Sequence, residues 1–226
     1  MTSDDDLRRW RLPRGRHGLP RELVIRSQRE RLLAAVVRVT AARGYESTSV
    51  ADILEEAGVG RESFYELFDD KRDCLLAARG ILVDDLEESV RVAYEEGDAW
   101  VERVANGLGA MLEWFASDPA AARVVMVELA AVGPVSRELF QEDFTRFTAL
   151  LEAGLEAKPD PTLPGATGLA IGGALARVYG EVVRDRTAAL PGLLPDLLYE
   201  LLVPFVGEEG AHAEQQKVAA SLAATE

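Results

Sequence analysis

Cys74 is the only thiol among 226 residues, and His17 and His212 are the only imidazoles. One cysteine and two distant histidines cannot assemble a Cys/His zinc site. A Ser-His-Asp or Cys-His relay would have to recruit a histidine from near one end of the sequence. No catalytic residue, metal or cofactor is therefore expected. The adjacent carboxylates Asp84-Asp85 and Glu87-Glu88 are where an all-α enzyme would look for acid–base chemistry, but they read as the solvated face of a helix. The chemistry that remains is recognition. Around a short helical stretch, Arg61, Glu62, Ser63, Tyr65 and Glu66 occupy the outer side, while Phe64, Leu67 and Phe68 turn inward. A helix held by its inner face and free on its outer face can enter a DNA major groove. The same pattern also serves plain helix packing.

The elements that position this stretch are helical, because strand signals are scarce and apolar residues recur at helical spacing. A first helix is expected from about Pro20 or Ser27 to Arg43, with Leu32, Leu33, Val36, Val37 and Thr40 on one face and Gly44 as its stop. A second runs from Val50 to Ala57, capped by Ser49 with Asp52 as its capping-box partner. After the Gly58-Val59-Gly60 turn, a third spans Arg61 to Phe68, and Asp69-Asp70 opens a fourth. Three short helices with a glycine turn between the second and third make a helix-turn-helix layout. Longer helices are expected over 71–95, 98–116, 119–131, 136–157, 166–187 and 191–206, and residues 207–226 as a frayed helix or tail.

Charge is distributed unevenly. The net formal charge is −14, yet residues 7–43 hold eleven arginines against Glu22 and Glu30. Residues 76–226 carry 11 basic and 25 acidic side chains. A basic head on an acidic body suits a polyanion-binding module attached to a part that does not touch the polyanion; a soluble acidic protein with a basic tail would look the same. No apolar run reaches the roughly 18 residues of a membrane span, and Pro13, Gly15, Gly18 and Pro20 interrupt the segment after Arg8-Arg9, so no targeting segment is expected there. The lone cysteine fits a reducing compartment; a cytoplasmic protein with no membrane partner is the expectation.

The string GYESTSVADILEEAGVGRESFYELFDDK, residues 44–71, closely resembles the DNA-binding signature of the TetR/AcrR transcriptional regulators, and the resemblance covers residues 27–76. It implies an all-α fold of about nine helices: an N-terminal three-helix helix-turn-helix DNA-binding domain, then a larger helical ligand-binding and dimerisation domain. The implied division is a basic arm over 1–20, a DNA-binding domain over 21–75, a ligand-binding and dimerisation domain over 76–207, and a tail over 208–226. Through the resemblance, Arg61, Glu62 and Ser63 correspond to positions facing base edges, where arginine meets guanine and glutamate accepts from cytosine. Thr48, Ser49, Tyr65 and Lys71 correspond to phosphate contacts. Gly60 stands where the family often has serine, and Glu62 and Glu66 make this helix acidic. Non-specific attraction then falls to the arm, with Arg8, Arg9, Arg11, Arg14 and Arg16 on phosphates or in a minor groove.

In the body, Gly168, Gly172, Ala176 and Gly180 recur every four residues, and Leu193 to Phe205 is apolar around much of its girth. The resemblance implies a homodimer joined through these helices, with Gly168, Gly172, Leu175, Ala176, Leu194, Leu197, Leu198 and Leu201 at the interface. It also implies a small apolar or amphipathic effector, unidentified, in a pocket drawn from Trp100, Met111, Trp114, Phe115, Met126, Glu128, Phe144 and Phe147. The expected function is a ligand-responsive repressor released from a palindromic DNA operator. The alternative is a protein-interaction adaptor of the same fold that has lost DNA recognition.

Overall fold

A computed structural model describes residues 20–152 and 166–224. The arginines of the basic arm lie outside the described residues. Among those described, every regular element is helical: α1 (Arg21–Arg43), α2 (Val50–Ala57), α3 (Arg61–Tyr65), α4 (Lys71–Glu95), α5 (Trp100–Ser117), α6 (Pro119–Met126), α7 (Val135–Glu152), α8 (Ala166–Val183) and α9 (Leu194–Ala223), with short 3-10 turns at Glu128–Val132, Thr187–Ala189 and Pro191–Leu193. The chain divides into two compact units between Leu82 and Val83, inside α4. None of the described helices is long and apolar enough to cross a membrane.

The N-terminal unit is built on α1, whose inner face buries Leu32, Leu33, Val36, Val37 and Thr40. Fully enclosed Ile53, Phe64 and Leu75 complete this core from α2, α3 and α4. Helix α2 starts at the expected capping box: the Ser49 hydroxyl accepts from Asp52 N–H, and the Asp52 carboxylate accepts from Ser49 N–H. That double bond satisfies two backbone donors that the first turn of a helix leaves open. It ends at Gly58, whose φ of 61° is the left-handed conformation glycine adopts without penalty. Helix α3 stops at Tyr65, a turn earlier than the sequence indicates. Asp70 and Asp73 claim the next turn: Asp73 N–H donates to Asp70 (2.8 Å) and Asp69 N–H to Asp73 (3.1 Å). This arrangement starts α4.

The C-terminal unit packs α5, α6, α8 and α9 with the rest of α4 around Leu112, Phe115, Val178, Leu190, Leu197, Leu198 and Leu202. Asp118 caps α6 by accepting from Ala120 and Ala121 N–H, and Pro119 follows it in the first turn. The stretch after Gly207, expected as a frayed helix or tail, is helical and packed. Gly207 has φ 75° and ψ 172°, so α9 breaks there and a second helical arm continues to Ala223. The arm returns along the first: Gln215 donates to Asp196 (3.0 Å), and the His212 ring meets the edge of Tyr199 at 6.4 Å. Ala211 is fully buried, and Val218 packs on the same core. Ala211 and Val218 make this contact while Ala213, Ala219, Ala220 and Ala223 stay exposed, and so small a buried set does not show in composition.

Candidate nucleic-acid interface and ligand cavity

The recognition segment is fixed from beneath. Phe64 is completely enclosed, with the Tyr65 ring edge-on at 5.3 Å and Phe68 at 5.8 Å. Aromatic pairs at such distances add about 0.5–1.5 kcal/mol beyond burial. With the inner side pinned, Arg61, Glu62, Tyr65 and Glu66 are left exposed. Glu66 stands 4.0 Å from Arg21, and both are largely solvated, so this pair contributes little. Ser63 differs from the rest of the expected base-reading set: it is half-buried, turned toward α1, and accepts from Gln28 Nε2 at 3.3 Å.

The groups expected on phosphate divide sharply. Tyr65 is 52% exposed. Thr48 is only 3% exposed, and its hydroxyl donates to Gly44 C=O at 2.8 Å. Ser49 is occupied by the α2 cap, its hydroxyl donating to Asp52 at 2.6 Å. Those bonds, more than the neighbouring Arg43, hold the Asp52 carboxyl below its ordinary range. Lys71 directs its ammonium into the loop between α1 and α2, donating to Tyr45 C=O and Thr48 C=O, each at 2.8 Å. Two α1 arginines are also taken up locally: Arg38 pairs with Glu56 at 2.7 Å, and Arg43 pairs with Asp52. These pairs tie α1 to α2 and reduce the positive field that the sequence places on α1.

The C-terminal unit contains a cavity of about 80 Å³. Val90 and Tyr94 of α4, Gly107, Leu108 and Met111 of α5, and Ile171 of α8 contribute to its lining, with Leu175 and Leu201. Tyr94 alone among the lining residues has a polar side-chain atom. Gly107 lines the space: the atoms nearest a Cβ built there would be Val90 Cγ1 and Tyr94 Cβ and Cδ2, at 3.5–3.6 Å.

Of the expected pocket residues, Met111 lines this cavity and most others are used elsewhere. Trp114 Nε1 donates to Asp85 at 2.7 Å, Phe115 is 2% exposed core, and Trp100 packs edge-on to Phe205 at 5.5 Å. Met126 and Phe144 pack against the surrounding core. Glu128 is buried and ion-paired with Arg123 at 3.3 Å, which accounts for its carboxylate without a ligand. The Phe147 side chain lies outside the described residues.

The residues expected at a dimer interface differ in exposure within their own chain. Leu197, Leu198 and Leu201 are enclosed within their own chain, and Leu175 turns to the cavity. Leu194 is half-buried, with a methyl group 3.4 Å from where a Gly109 Cβ would stand. Gly172 and Ala176 are exposed, and Gly168 is half-exposed. They share a face of α8 with Leu169, Tyr179 and Val183, which are 75%, 46% and 43% exposed. Sequence reasoning missed Leu169, Tyr179 and Val183; their spacing with Gly172 and Ala176 at three and four residues was the available signal.

Comparison with known proteins agrees with this architecture. Residues 32–78 match the family described as "Bacterial regulatory proteins, tetR family". The chain is 26% identical over 166 residues, 65% of its own length and 74% of the relative's, to a protein of Lactococcus lactis subsp. lactis named an uncharacterized HTH-type transcriptional regulator in the lacX 3' region. Its fold is similar to that of the fatty acid degradation regulator FadR of Bacillus halodurans (24% identity, TM-score 0.69, 77% of this chain and 94% of that one). It is also similar to Bacillus subtilis FadR, solved in complex with stearoyl-CoA (22% identity, TM-score 0.65, 79% of this chain and 98% of that one). The pinned recognition helix lies inside the segment, residues 32–78, that is similar to the bacterial regulatory proteins of the tetR family, and a separate helical unit follows it.

Proposed function

We propose that this regulator is a homodimeric repressor that holds a palindromic operator and is released by an amphipathic acyl compound whose apolar chain enters the cavity beside Gly107. The observation that carries the proposal is that cavity, walled almost entirely by apolar side chains. A fatty-acyl effector is favoured because Bacillus subtilis FadR, which is similar in fold, is solved with stearoyl-CoA. The resting cavity, about 80 Å³, is smaller than the ~150 Å³ pocket known to hold benzene. A long chain would have to spread the helices around it, which gives bound and empty states different shapes. Such coupling is worth about 1–3 kcal/mol, or roughly 5–150-fold in operator affinity.

Residues 21–75 are proposed as the DNA-binding domain and 76–207 as the ligand-binding and dimerisation domain. The exposed apolar face of α8 is the proposed pairing surface, and a palindromic operator would present its two half-sites to the recognition helices in major grooves about 34–36 Å apart. On each half-site, Arg61 and Glu62 read base edges, Tyr65 meets a phosphate, and the arginines of the arm supply the remaining attraction. The test is an operator selected from random duplexes by the wild-type chain, followed by anisotropy titrations with short, medium and long acyl-CoA thioesters. Release by one chain-length class, lost in Gly107→Leu with DNA binding retained, is the expected result. Equal release from Gly107→Leu would refute the cavity as the effector site.

A further inference from the structure

We infer that Lys71 serves DNA recognition as a positioning residue, locking the loop that begins α2, and not as a phosphate contact. This rests on the DNA-binding reading but on a separate set of observations. The loop from Gly44 to Ser49 joins α1 to α2; Tyr45 C=O accepts from Thr48 N–H and Ser49 C=O from Ile53 N–H, both at 3.2 Å, while the carbonyls of Gly44, Glu46 and Thr48 are met by side-chain donors. Backbone acceptors of this kind are costly to leave unpaired when removed from water. Thr48 answers one of them, its hydroxyl donating to Gly44 C=O at 2.8 Å. Lys71 gathers three more. Its ammonium donates to Tyr45 C=O and Thr48 C=O at 2.8 Å each and reaches Glu46 C=O at 3.5 Å. It also stands 4.4 Å from the centre of the Tyr45 ring, in cation–π contact.

An ammonium has three N–H donors, and here three carbonyls converge on it. Binding a phosphate oxygen would require Lys71 to abandon part of this set. The carbonyls it holds flank the start of α2, because Thr48 immediately precedes the Ser49 cap. Loosening the loop would therefore shift the first turn of α2, which packs on α1 as α3 does. Arginine is a poor replacement. Its planar fork spreads its donors over three nitrogens and does not converge three from one centre.

Lys71→Gln and Lys71→Arg, prepared in the full chain, test the inference. Amide hydrogen exchange on the free protein needs no DNA. Both variants should exchange faster over residues 45–53, by about tenfold or more. On a duplex selected by the wild-type chain, both should bind about tenfold or more weakly, with the slope of log K against log salt unchanged. If Lys71→Gln does not fold, Lys71→Arg carries both measurements alone. The inference is overturned if exchange over 45–53 is unaffected, if Lys71→Arg binds like the wild type, or if Lys71→Gln lowers the slope by about 0.9, the signature of one lost phosphate contact. If no duplex is ever selected, the DNA reading fails while the exchange measurement still decides the role of Lys71 in the loop.

Discussion

Replacing Gly107 with alanine should make the C-terminal unit more stable and the regulator less responsive. Gly107 sits in the interior of α5, where glycine costs about 0.5–1 kcal/mol relative to alanine. The added methyl would meet Val90 Cγ1 at 3.5 Å and Tyr94 Cβ at 3.6 Å, ordinary contact distances that require no neighbour to move. Burying one methyl adds about 0.8 kcal/mol. The combined gain is about 1–2 kcal/mol, which for a unit of this size raises Tm by roughly 3–6 °C. Calorimetry of wild type and Gly107→Ala, with the C-terminal transition followed separately, checks this. A lower Tm would mean that the space beside Gly107 is already filled, and the cavity argument would go with it. A higher Tm accompanied by weaker effector response would show that the glycine is kept for the opening it leaves, at a cost in stability.

Three further outcomes follow from the same geometry. Ala176→Arg places a charge in the middle of the exposed α8 face and should yield monomers by analytical ultracentrifugation without lowering Tm; a dimer of unchanged affinity would move the interface elsewhere. Arg61→Ala should relax preference at one base pair by about 1–3 kcal/mol in competition binding, and uniform weakening across all sequences would instead make Arg61 a phosphate contact. Asp52 has a lowered pKa, chiefly from its bonds to Ser49. Its stabilising contribution is therefore complete above the ordinary carboxylate pKa and disappears as pH falls through the lowered value. Asp52→Asn should remove that pH dependence from unfolding measurements on the N-terminal unit.

The N-terminal unit was largely legible because its information is local. The Ser49–Asp52 cap, the Gly58 turn and the inner set around Phe64 are each specified within a few residues. The roles of Thr48 and Lys71 were not, since a hydroxyl and an ammonium look equally fit for phosphate or carbonyl, and only the loop's path brings Tyr45 and Thr48 C=O to Lys71. The C-terminal unit was less readable for a related reason. The apolar girth of Leu197, Leu198 and Leu201 called for a cover, and the sequence could not say whether a second chain or the chain's own return would provide it. Glu128 escaped because its partner, Arg123, is five residues away across a break from α-helix to 3-10 turn, a spacing no helical pattern marks. The cavity's position was only partly legible because, beyond the expected Met111, it is lined by aliphatic residues such as Val90, Leu108 and Ile171, whose helical spacing is that of ordinary core.

The reversal at Gly207 also has a practical side for anyone handling the molecule. Residues 208–223 hold Ala211 in the interior and bring Gln215 back to Asp196, so trimming the chain after Val206 would strip off a piece of the core. Versions shortened there are expected to clump more readily than the 226-residue chain, and affinity handles are safer appended beyond Ala224 than substituted for this segment.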